Sequence, residues 1–418
     1  MTSFSQTLTL PNGQRLSNRI AKSAMSERLG DADHAPSEEL IRLYERWGRG
    51  GAGLLITGNV MIDHAALGES GNVAVDDRRA LPALTAWAQA AKADGSKVWM
   101  QINHPGRQSP RTLVARPVSA SAVPLKGEAR LMFARPRALE EDEIEAIIAR
   151  FATTAAIAEE AGFDGVQIHG AHGYLINQFL SPHTNRRQDA WGGDPERRRR
   201  FVLEVVRAIR RTVRPGFSVG LKLNSADFQK GGFDDGESVA VVEALDAEGL
   251  DLIEVSGGTY ESAKMFEETV PTRDSSRRRE AFFQGYVEMV RERVRTPLML
   301  TGGLRTRGGM EHARENGVDV VGLARPIALE PDLPARLLDG SAQAARPVRL
   351  ATGFRSLDSV IQGSWYQTQI DRMGRGLEPN PKLGRLLPVL RYFRPRRSTR
   401  WTPRPAAVQP QPAASARA

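Results

Sequence analysis

The sequence predicts an α/β protein that folds as a single (β/α)8 barrel, and three observations support this prediction. Short apolar runs alternate with amphipathic helical stretches eight times along the chain. The runs are rich in apolar and β-branched residues, as expected of parallel strands buried on both faces. No linker separates a second domain. Eight such units predict a closed barrel, because doubly wound open sheets normally stop at about five or six strands.

Each candidate strand is short, and a helical pattern follows it. In chain order the runs are RIAKSAM (19–25), LLITGN (54–59), KVWMQINH (97–104), GVQIHG (165–170), VGLKLN (219–224), LIEVSGG (252–258), PLMLTGG (297–303) and DVVGLAR (319–325).

The stretches between the runs have helical periodicity and recognisable ends. Asp194 followed by Pro195 predicts an N-cap with proline in the first helical turn. The first helix has an apolar face at three-and-four spacing, formed by Leu40, Leu43, Tyr44 and Trp47. Four helices are expected to end at glycines, namely Gly51, Gly95, Gly162 and Gly249.

The two ends of the chain differ from the repeating units. Asn12-Gly13 lies between alternating residues and predicts a β-hairpin, which would close the bottom of the barrel. Residues 327–390 add helices, so the barrel domain is predicted over 1–390. Residues 391–418 are basic, rich in Pro and Ala, and without apolar periodicity, which predicts a disordered tail.

Composition excludes several functional classes. The 418 residues include no cysteine, which rules out disulfides, thiolate metal sites and cysteine nucleophiles. The net charge is +9, but seven arginines and no acid lie from Arg391 onward, which leaves +2 on residues 1–390. Nucleic-acid binding by the body is therefore not expected. With neither a signal peptide nor an apolar membrane-spanning stretch in the sequence, the expected location is the cytoplasm.

The ends of the last two strands predict a phosphate site. In a barrel, functional groups lie at the carboxyl ends of the strands, and strands seven and eight commonly bind phosphate. Gly302 and Gly303 would let backbone amides approach an anion, and Ala324 and Arg325 follow the eighth strand. The alternative is that these glycines only form tight turns.

The remaining strand ends predict the rest of a cofactor site. Ser23-Ala24-Met25-Ser26 ends the first strand and Asn59 the second. Gln101 can both donate and accept hydrogen bonds, which suits the edge of a flavin pyrimidine ring. A cation such as Lys222 would stabilise the negative charge of a reduced flavin. The alternative for Lys222 is an ion pair with a neighbouring acid.

The segment after the fourth strand has the most informative pattern. His169 and His172 are three residues apart, and Tyr174 follows. Two imidazoles can polarise one carbonyl oxygen, and a tyrosine can deliver a proton to carbon. Zinc binding is a weaker hypothesis, because no third ligand lies at good spacing. Histidines that only hold the loop are the structural alternative.

HGAHGYLINQFLSPHTNRRQDAWGG (169–193), with ERRRRF after it, resembles the signature of the Old Yellow Enzyme family of FMN-containing ene reductases. WMQINHPGRQ (99–108) and the TGG…GLARP pair resemble further motifs of that family, and the resemblance covers roughly residues 5–375. It implies FMN lined by residues 23–26 and contacted by Gln101 and Lys222. Its phosphate would lie at Gly303, Ala324 and Arg325.

The resemblance also implies a ping-pong mechanism with NADH or NADPH as reductant and an electron-poor alkene as substrate. His169 and His172 would bind the activating oxygen of the substrate, and Tyr174 would be the proton donor. Ser26 replaces the Thr or Cys that is usual in the family. Lys222 replaces the common Arg, which keeps the positive charge but loses the planar guanidinium group with its paired donors. This chain is not expected to belong to the branch of the family that carries an iron–sulfur centre, because it has no cysteine.

Three other functions are compatible with the same pattern. A flavin-free aldolase would use Lys222 as a Schiff base. The second is a flavin-binding module with little turnover of its own. The presence of Tyr174 argues against it, because binding alone does not need a proton donor. An oxidoreductase of this family could instead use a quinone, a nitro compound or oxygen as its physiological acceptor. The sequence leaves open the natural substrate, the choice between NADH and NADPH, and whether the chain forms a homo-oligomer.

Overall fold

The computed structural model describes residues 3–127, 129–227, 231–256, 285–348, 350 and 355–392. All eight predicted strands form within this part of the chain. They are β1 (Ile20–Lys22), β2 (Leu54–Ile56), β3 (Lys97–Asn103), β4 (Gly165–Gly170), β5 (Ser218–Asn224), β6 (Leu252–Ser256), β7 (Leu298–Thr301) and β8 (Val320–Leu323). Each strand pairs in parallel with the next, and β8 pairs with β1 through Val321 and Ile20, which closes the predicted (β/α)8 barrel.

Helices surround the barrel. Those between successive strands are Glu38–Gly48, Leu81–Ala91, Glu141–Glu160, Pro195–Thr212, Asp235–Ala247, 285–291 and Arg307–Glu315. The helices Ala129–Met132 and Leu175–Leu180 lie in loops, and Arg325–Leu329, Leu333–Asp339, Arg355–Gly374 and Leu386–Tyr392 follow β8. No helix among the described residues is both long and apolar enough to cross a membrane.

The predicted N-cap is confirmed, and the four helices end two to four residues before the predicted glycines, at Gly48, Ala91, Glu160 and Ala247. Asp194 caps the helix Pro195–Thr212, and its side chain accepts from the backbone N–H of Arg197 at 2.9 Å. The predicted apolar face of the first helix is buried. The four glycines expected after helices all have left-handed backbones, with φ of 84° at Gly51, 80° at Gly95, 91° at Gly162 and 72° at Gly249.

The hairpin closes the lower end of the barrel, as predicted. Its strands Leu8–Thr9 and Arg15–Leu16 are antiparallel, with Asn12 and Gly13 in the turn. Asn12 Nδ2 donates to Ser218 Oγ at 2.9 Å, at the amino end of β5. Three leucines of the hairpin segment pack against the apolar lower half of the barrel interior: Leu8, Leu10 and Leu16. The upper half is polar.

The chain leaves the barrel through helices that pack on its outside. The helix Arg355–Gly374 lies against Glu38–Gly48 and against the last helix, Leu386–Tyr392. The predicted tail starts at Arg391, and its first two residues belong to this last helix. The remainder of the predicted tail, 393–418, lies outside the described residues.

Candidate active site

A buried polar layer lies across the interior of the barrel below its carboxyl end. Lys222 and Glu254 are direct neighbours in register on β5 and β6, and Gln101 and Gln167 are neighbours on β3 and β4. Lys222 Nζ donates to Glu254 Oε1 at 2.8 Å. Gln167 Nε2 donates to Glu254 Oε2 at 2.7 Å, and Gln101 Nε2 donates to Gln167 Oε1 at 2.8 Å. Two predicted cofactor contacts therefore belong to one hydrogen-bonded chain.

The three predicted catalytic side chains meet at the end of β4. The ring of His169 lies edge-on to the rings of His172 and Tyr174, with centroid distances of 5.1 Å and 4.8 Å. His169 Nδ1 accepts from the backbone N–H of Ala171 at 3.3 Å, so the proton of the neutral ring is inferred to lie on Nε2. His172 Nε2 lies 3.0 Å from Ser256 Oγ. Each ring thus has one nitrogen engaged by the protein and one left for a ligand.

The loop that presents these side chains is rigidly held. His172 has a left-handed backbone with φ of 61°, and its N–H donates to Asn224 Oδ1 at 3.2 Å. Its carbonyl accepts from Gln108 Nε2 at 3.0 Å. Gly173 follows with φ of 77°, and a Cβ there would lie 2.8 Å from Gln108 Oε1. Tyr174 then begins the helix Leu175–Leu180 as its N-cap residue.

Both histidines are held in the neutral form. Burial is the main cause that lowers the pKa of His172 to about 3, and the charge of Lys222 adds to it. Burial, the neighbouring His172 and Lys222 together lower the pKa of His169 well below its ordinary value. No group of three or more histidine and acidic side chains suited to a metal occurs among the described residues. The pair is therefore suited to donating hydrogen bonds to a substrate oxygen.

The ends of β1 and β2 form a second wall of the site. Ser23 Oγ is 2.7 Å from Thr301 Oγ1 on β7, and the hydroxyl of Ser26 donates to Glu69. Ala24 and Met25 are partly buried between them. Asn59 has its Oδ1 buried without a hydrogen-bond partner among the described residues. A buried, unsatisfied acceptor is costly unless a ligand or water supplies a donor, so Asn59 fits a bound cofactor.

A buried ion pair behind this wall ties the two strand ends together. Lys22 Nζ lies 3.4 Å from Glu27 Oε1 and donates to the carbonyl of Ile56 at 2.7 Å. Glu27 Oε1 also accepts from Tyr44 Oη at 2.5 Å and from the backbone N–H of Gly58 at 3.0 Å. Burial lowers the pKa of Lys22 to about 8 and raises that of Glu27. The pair holds the backbone next to Ser23 and Asn59.

The predicted phosphate site lies at the ends of β7 and β8, where the backbone includes glycines. Gly302 and Gly303 follow β7 with φ of 133° and 77°, and a Cβ on Gly303 would meet no atom of the described residues within 4 Å. Gly322 packs so closely on β7 and β1 that a Cβ there would lie 2.0 Å from Thr301 Oγ1. Ala324 is the residue before the helix Arg325–Leu329, and Arg325 Nη1 donates to Gln362 Oε1 at 2.9 Å. The glycine backbone at this site and the buried Oδ1 of Asn59 fit an FMN.

Several residues of the candidate site were not predicted from the sequence. Gln167 and Glu254 complete the polar layer, Ser256 contacts His172, and Glu27 pairs with Lys22. A charged residue inside a run such as LIEVSGG is a signal for such a role, because an acid inside a buried strand needs a partner. Gln167 lies two residues before His169, and therefore on the same face of β4.

Comparison with known proteins identifies the family. The profile of the NADH:flavin oxidoreductase / NADH oxidase family matches residues 6–343. The NADH-dependent flavin oxidoreductase iliE of Hypocrea jecorina (strain QM6a) is 38% identical over 356 residues, which cover 79% of this chain and 88% of that protein. The NADH-dependent flavin oxidoreductase nadA of Aspergillus parasiticus is 41% identical over 342 residues, with coverage of 78% and 76%.

A solved structure shows the same architecture. Morphinone reductase in complex with tetrahydroNAD superimposes with a TM-score of 0.68 at 27% identity, covering 83% of this chain and 93% of that one. The profile match, the relatives and the shared barrel agree with the resemblance to Old Yellow Enzyme that the motifs indicated. The chain belongs to the NADH:flavin oxidoreductase / NADH oxidase family, and it is an oxidoreductase that works with FMN and a reduced nicotinamide.

Proposed function

We propose that this enzyme reduces the carbon–carbon double bond of α,β-unsaturated carbonyl or nitro compounds. The observation that supports this most is the convergence of His169, His172 and Tyr174 at the end of β4. Two neutral imidazoles beside a phenol suit a substrate that has an oxygen to polarise and a carbon to protonate. Electron transfer alone would need neither group.

The FMN would lie over the carboxyl ends of the strands. Gln101 and Lys222 would contact its pyrimidine side, and the hydroxyls and backbone of the β1 wall would line it. In the proposal the full set of cofactor-binding residues is Ser23, Ala24, Met25, Ser26, Asn59, Gln101, Lys222, Gly302, Gly303, Ala324 and Arg325. When bound, FMN supplies the chemistry of accepting a hydride from a reduced nicotinamide and passing it to an alkene.

The side chains of the protein would supply substrate binding and the proton. His169 would donate from Nε2 to the carbonyl or nitro oxygen, and His172 would donate from its second ring nitrogen. This polarises the double bond, which makes the β-carbon electron-poor. Tyr174 would then give its phenolic proton to the α-carbon. Removing Tyr174 should affect this second half of the cycle and not the reaction with nicotinamide.

NADH is the reductant that we propose. Both fungal relatives are named NADH-dependent, and the superimposed morphinone reductase structure contains a tetrahydroNAD. The second candidate function uses oxygen, a quinone or a nitro compound as the acceptor. It is supported by the NADH oxidases in the same family.

An anaerobic absorbance experiment tests the proposal. The purified protein, reconstituted with FMN if needed, receives NADH or NADPH and then cyclohexenone. We expect NADH to bleach the flavin absorbance and cyclohexenone to restore it. Recovery only with oxygen or a quinone would leave the flavoprotein but reject alkene reduction. A protein that takes up no FMN would refute the cofactor assignment as well.

A further inference from the structure

Glu254 is an acid in the middle of the barrel, and the reaction proposed above assigns it no role. It lies on β6 directly opposite Lys222 of β5 and is fully buried. A carboxylate at such a position is costly unless it is paired and hydrogen-bonded. Both of its oxygens are engaged, one by Lys222 Nζ at 2.8 Å and the other by Gln167 Nε2 at 2.7 Å.

These contacts determine the orientation of two amide groups. An ionised carboxylate can only accept, so Gln167 must turn its Nε2 toward Glu254. Its Oε1 therefore faces Gln101 and requires a donor, which is Gln101 Nε2 at 2.8 Å. This leaves Gln101 Oε1 as the acceptor, and the second hydrogen of its Nε2 as the donor, that the side chain can present to a ligand. Glu254 thus fixes the amide orientation of Gln167, which in turn orients Gln101 so that its Oε1 can accept a hydrogen bond from a ligand.

The same carboxylate balances the charge of Lys222. A lone cation beside the flavin pyrimidine would favour the reduced cofactor, which gains negative charge there. A carboxylate 2.8 Å from that ammonium opposes this effect. The side chains of both residues are at most 5% exposed, so water screens the pair little.

We propose that Glu254 is a positioning residue that lowers the midpoint potential of the bound FMN and sets Gln101 as an acceptor toward it. The proposal rests on FMN binding as assigned above. It makes the reduced flavin a stronger hydride donor than Lys222 alone would allow, and it applies whichever acceptor oxidises the flavin.

The test is the midpoint potential and the FMN affinity of Glu254→Gln, measured by anaerobic reductive titration with a reference dye and by fluorescence. The substitution keeps the shape and removes the charge. We expect the binding of reduced FMN to tighten relative to oxidised FMN by about tenfold, because Lys222 is no longer balanced. For a two-electron couple a tenfold change corresponds to about 30 mV upward. The affinity for oxidised FMN should fall, because Gln101 can reverse its amide.

Four further variants separate this role from a structural one. Glu254→Asp keeps the charge and should restore most of the wild-type potential. Lys222→Met should shift the potential downward. Gln167→Leu should weaken binding of oxidised FMN while shifting the potential less than Glu254→Gln does. Glu243→Gln removes an acid from an exposed ion pair with Arg293 and serves as the matched control, with no expected change.

The outcomes distinguish this proposal from the proposed function. If Glu254→Gln binds FMN with the wild-type potential, the proposal is wrong although the cofactor assignment stands. If the wild-type protein binds no FMN, the cofactor assignment fails first. Should Glu254→Gln be too unstable to purify, an unchanged potential in Lys222→Met would refute the proposal in its place.

Discussion

Replacement of Tyr174 should slow one half-reaction of the catalytic cycle and leave the other unchanged. It is largely buried, begins a helix, and lies edge-on to His169. Tyr174→Phe keeps the ring and removes only the proton. We expect FMN binding and flavin reduction by NADH to be unchanged, while cyclohexenone reduction slows by roughly a hundredfold or more, the usual contribution of a general acid. Stopped-flow absorbance of the two half-reactions measures both.

The control for Tyr174→Phe is the second half-reaction with an acceptor that needs no carbon protonation, such as a quinone. That rate should stay near the wild-type value. A collapse of flavin reduction by NADH in the variant would show that Tyr174 acts elsewhere in the cycle.

His169 and His172 should bind the substrate independently of pH in the physiological range. Their folded pKa values lie below the ordinary value, that of His172 at about 3. His172 therefore stays a neutral donor from pH 5 to 8, and burial shifts the pKa of His169 in the same direction. We expect the Kd of a neutral ligand such as cyclohexenone for the oxidised enzyme to be constant over this range. A loss of affinity with a midpoint near pH 6.5 would contradict the neutral pair.

At the residue scale, the site residues that could be predicted from the sequence are those that lie close together along the chain. His169, His172 and Tyr174 lie in one loop, so their convergence could be inferred. Gln167 and Glu254 were missed because their partnership joins β4 to β6, which are distant in sequence. The alternative considered for Lys222, an ion pair, is what the structure contains, and no pattern in the sequence named Glu254 as its partner.

At the scale of elements, the ion pair between Lys22 and Glu27 should hold β1 and β2 together. Removing one partner leaves a buried charge without compensation. We expect Glu27→Gln to lower the free energy of unfolding by about 3–5 kcal/mol, and the double variant with Lys22→Met to regain most of that loss. Urea unfolding of the FMN-loaded proteins measures both.

Glu378→Gln is the matched control for that experiment. Glu378 pairs with Arg46 on the surface, with side chains 76% and 45% exposed, and such pairs contribute at most about 1 kcal/mol. If Glu27→Gln costs no more than Glu378→Gln, the buried pair does not hold these strands.

The strands were predictable as elements because each is buried on both faces and therefore largely apolar, apart from the few polar residues of the buried layer. Shorter pairings were not predicted. The strand Val60–Met61 follows the predicted second run, 54–59, and pairs with β3. The strand Val118–Ser119 pairs with Arg137–Ala138 inside a long loop. Two-residue strands have too few side chains to show a period, so they follow from tertiary contacts and not from a local pattern.

At the scale of the whole molecule, the fold depends on histidines that are neutral when buried. Besides His169 and His172, burial lowers the pKa of His104 to about 4, against the attraction of Asp63. His104 follows β3, and its Nδ1 accepts from the backbone N–H of Gly106 at 3.1 Å. In the unfolded chain each of these side chains would titrate near pH 6.5.

Acidification should therefore destabilise the protein. A folded pKa below the unfolded value means that the unfolded chain binds more protons between the two values, so stability is complete above about pH 6.5 and is lost as the pH falls from there toward 4. His104 contributes a slope of up to about 1.4 kcal/mol per pH unit within that window. We expect His104→Asn to have a shallower pH dependence than the wild type by this amount, measured by urea unfolding at pH 7, 6 and 5. His312→Asn, at an exposed position on the helix Arg307–Glu315, is the matched control. Equal slopes in wild type and His104→Asn would show that His104 does not act as a buried neutral group.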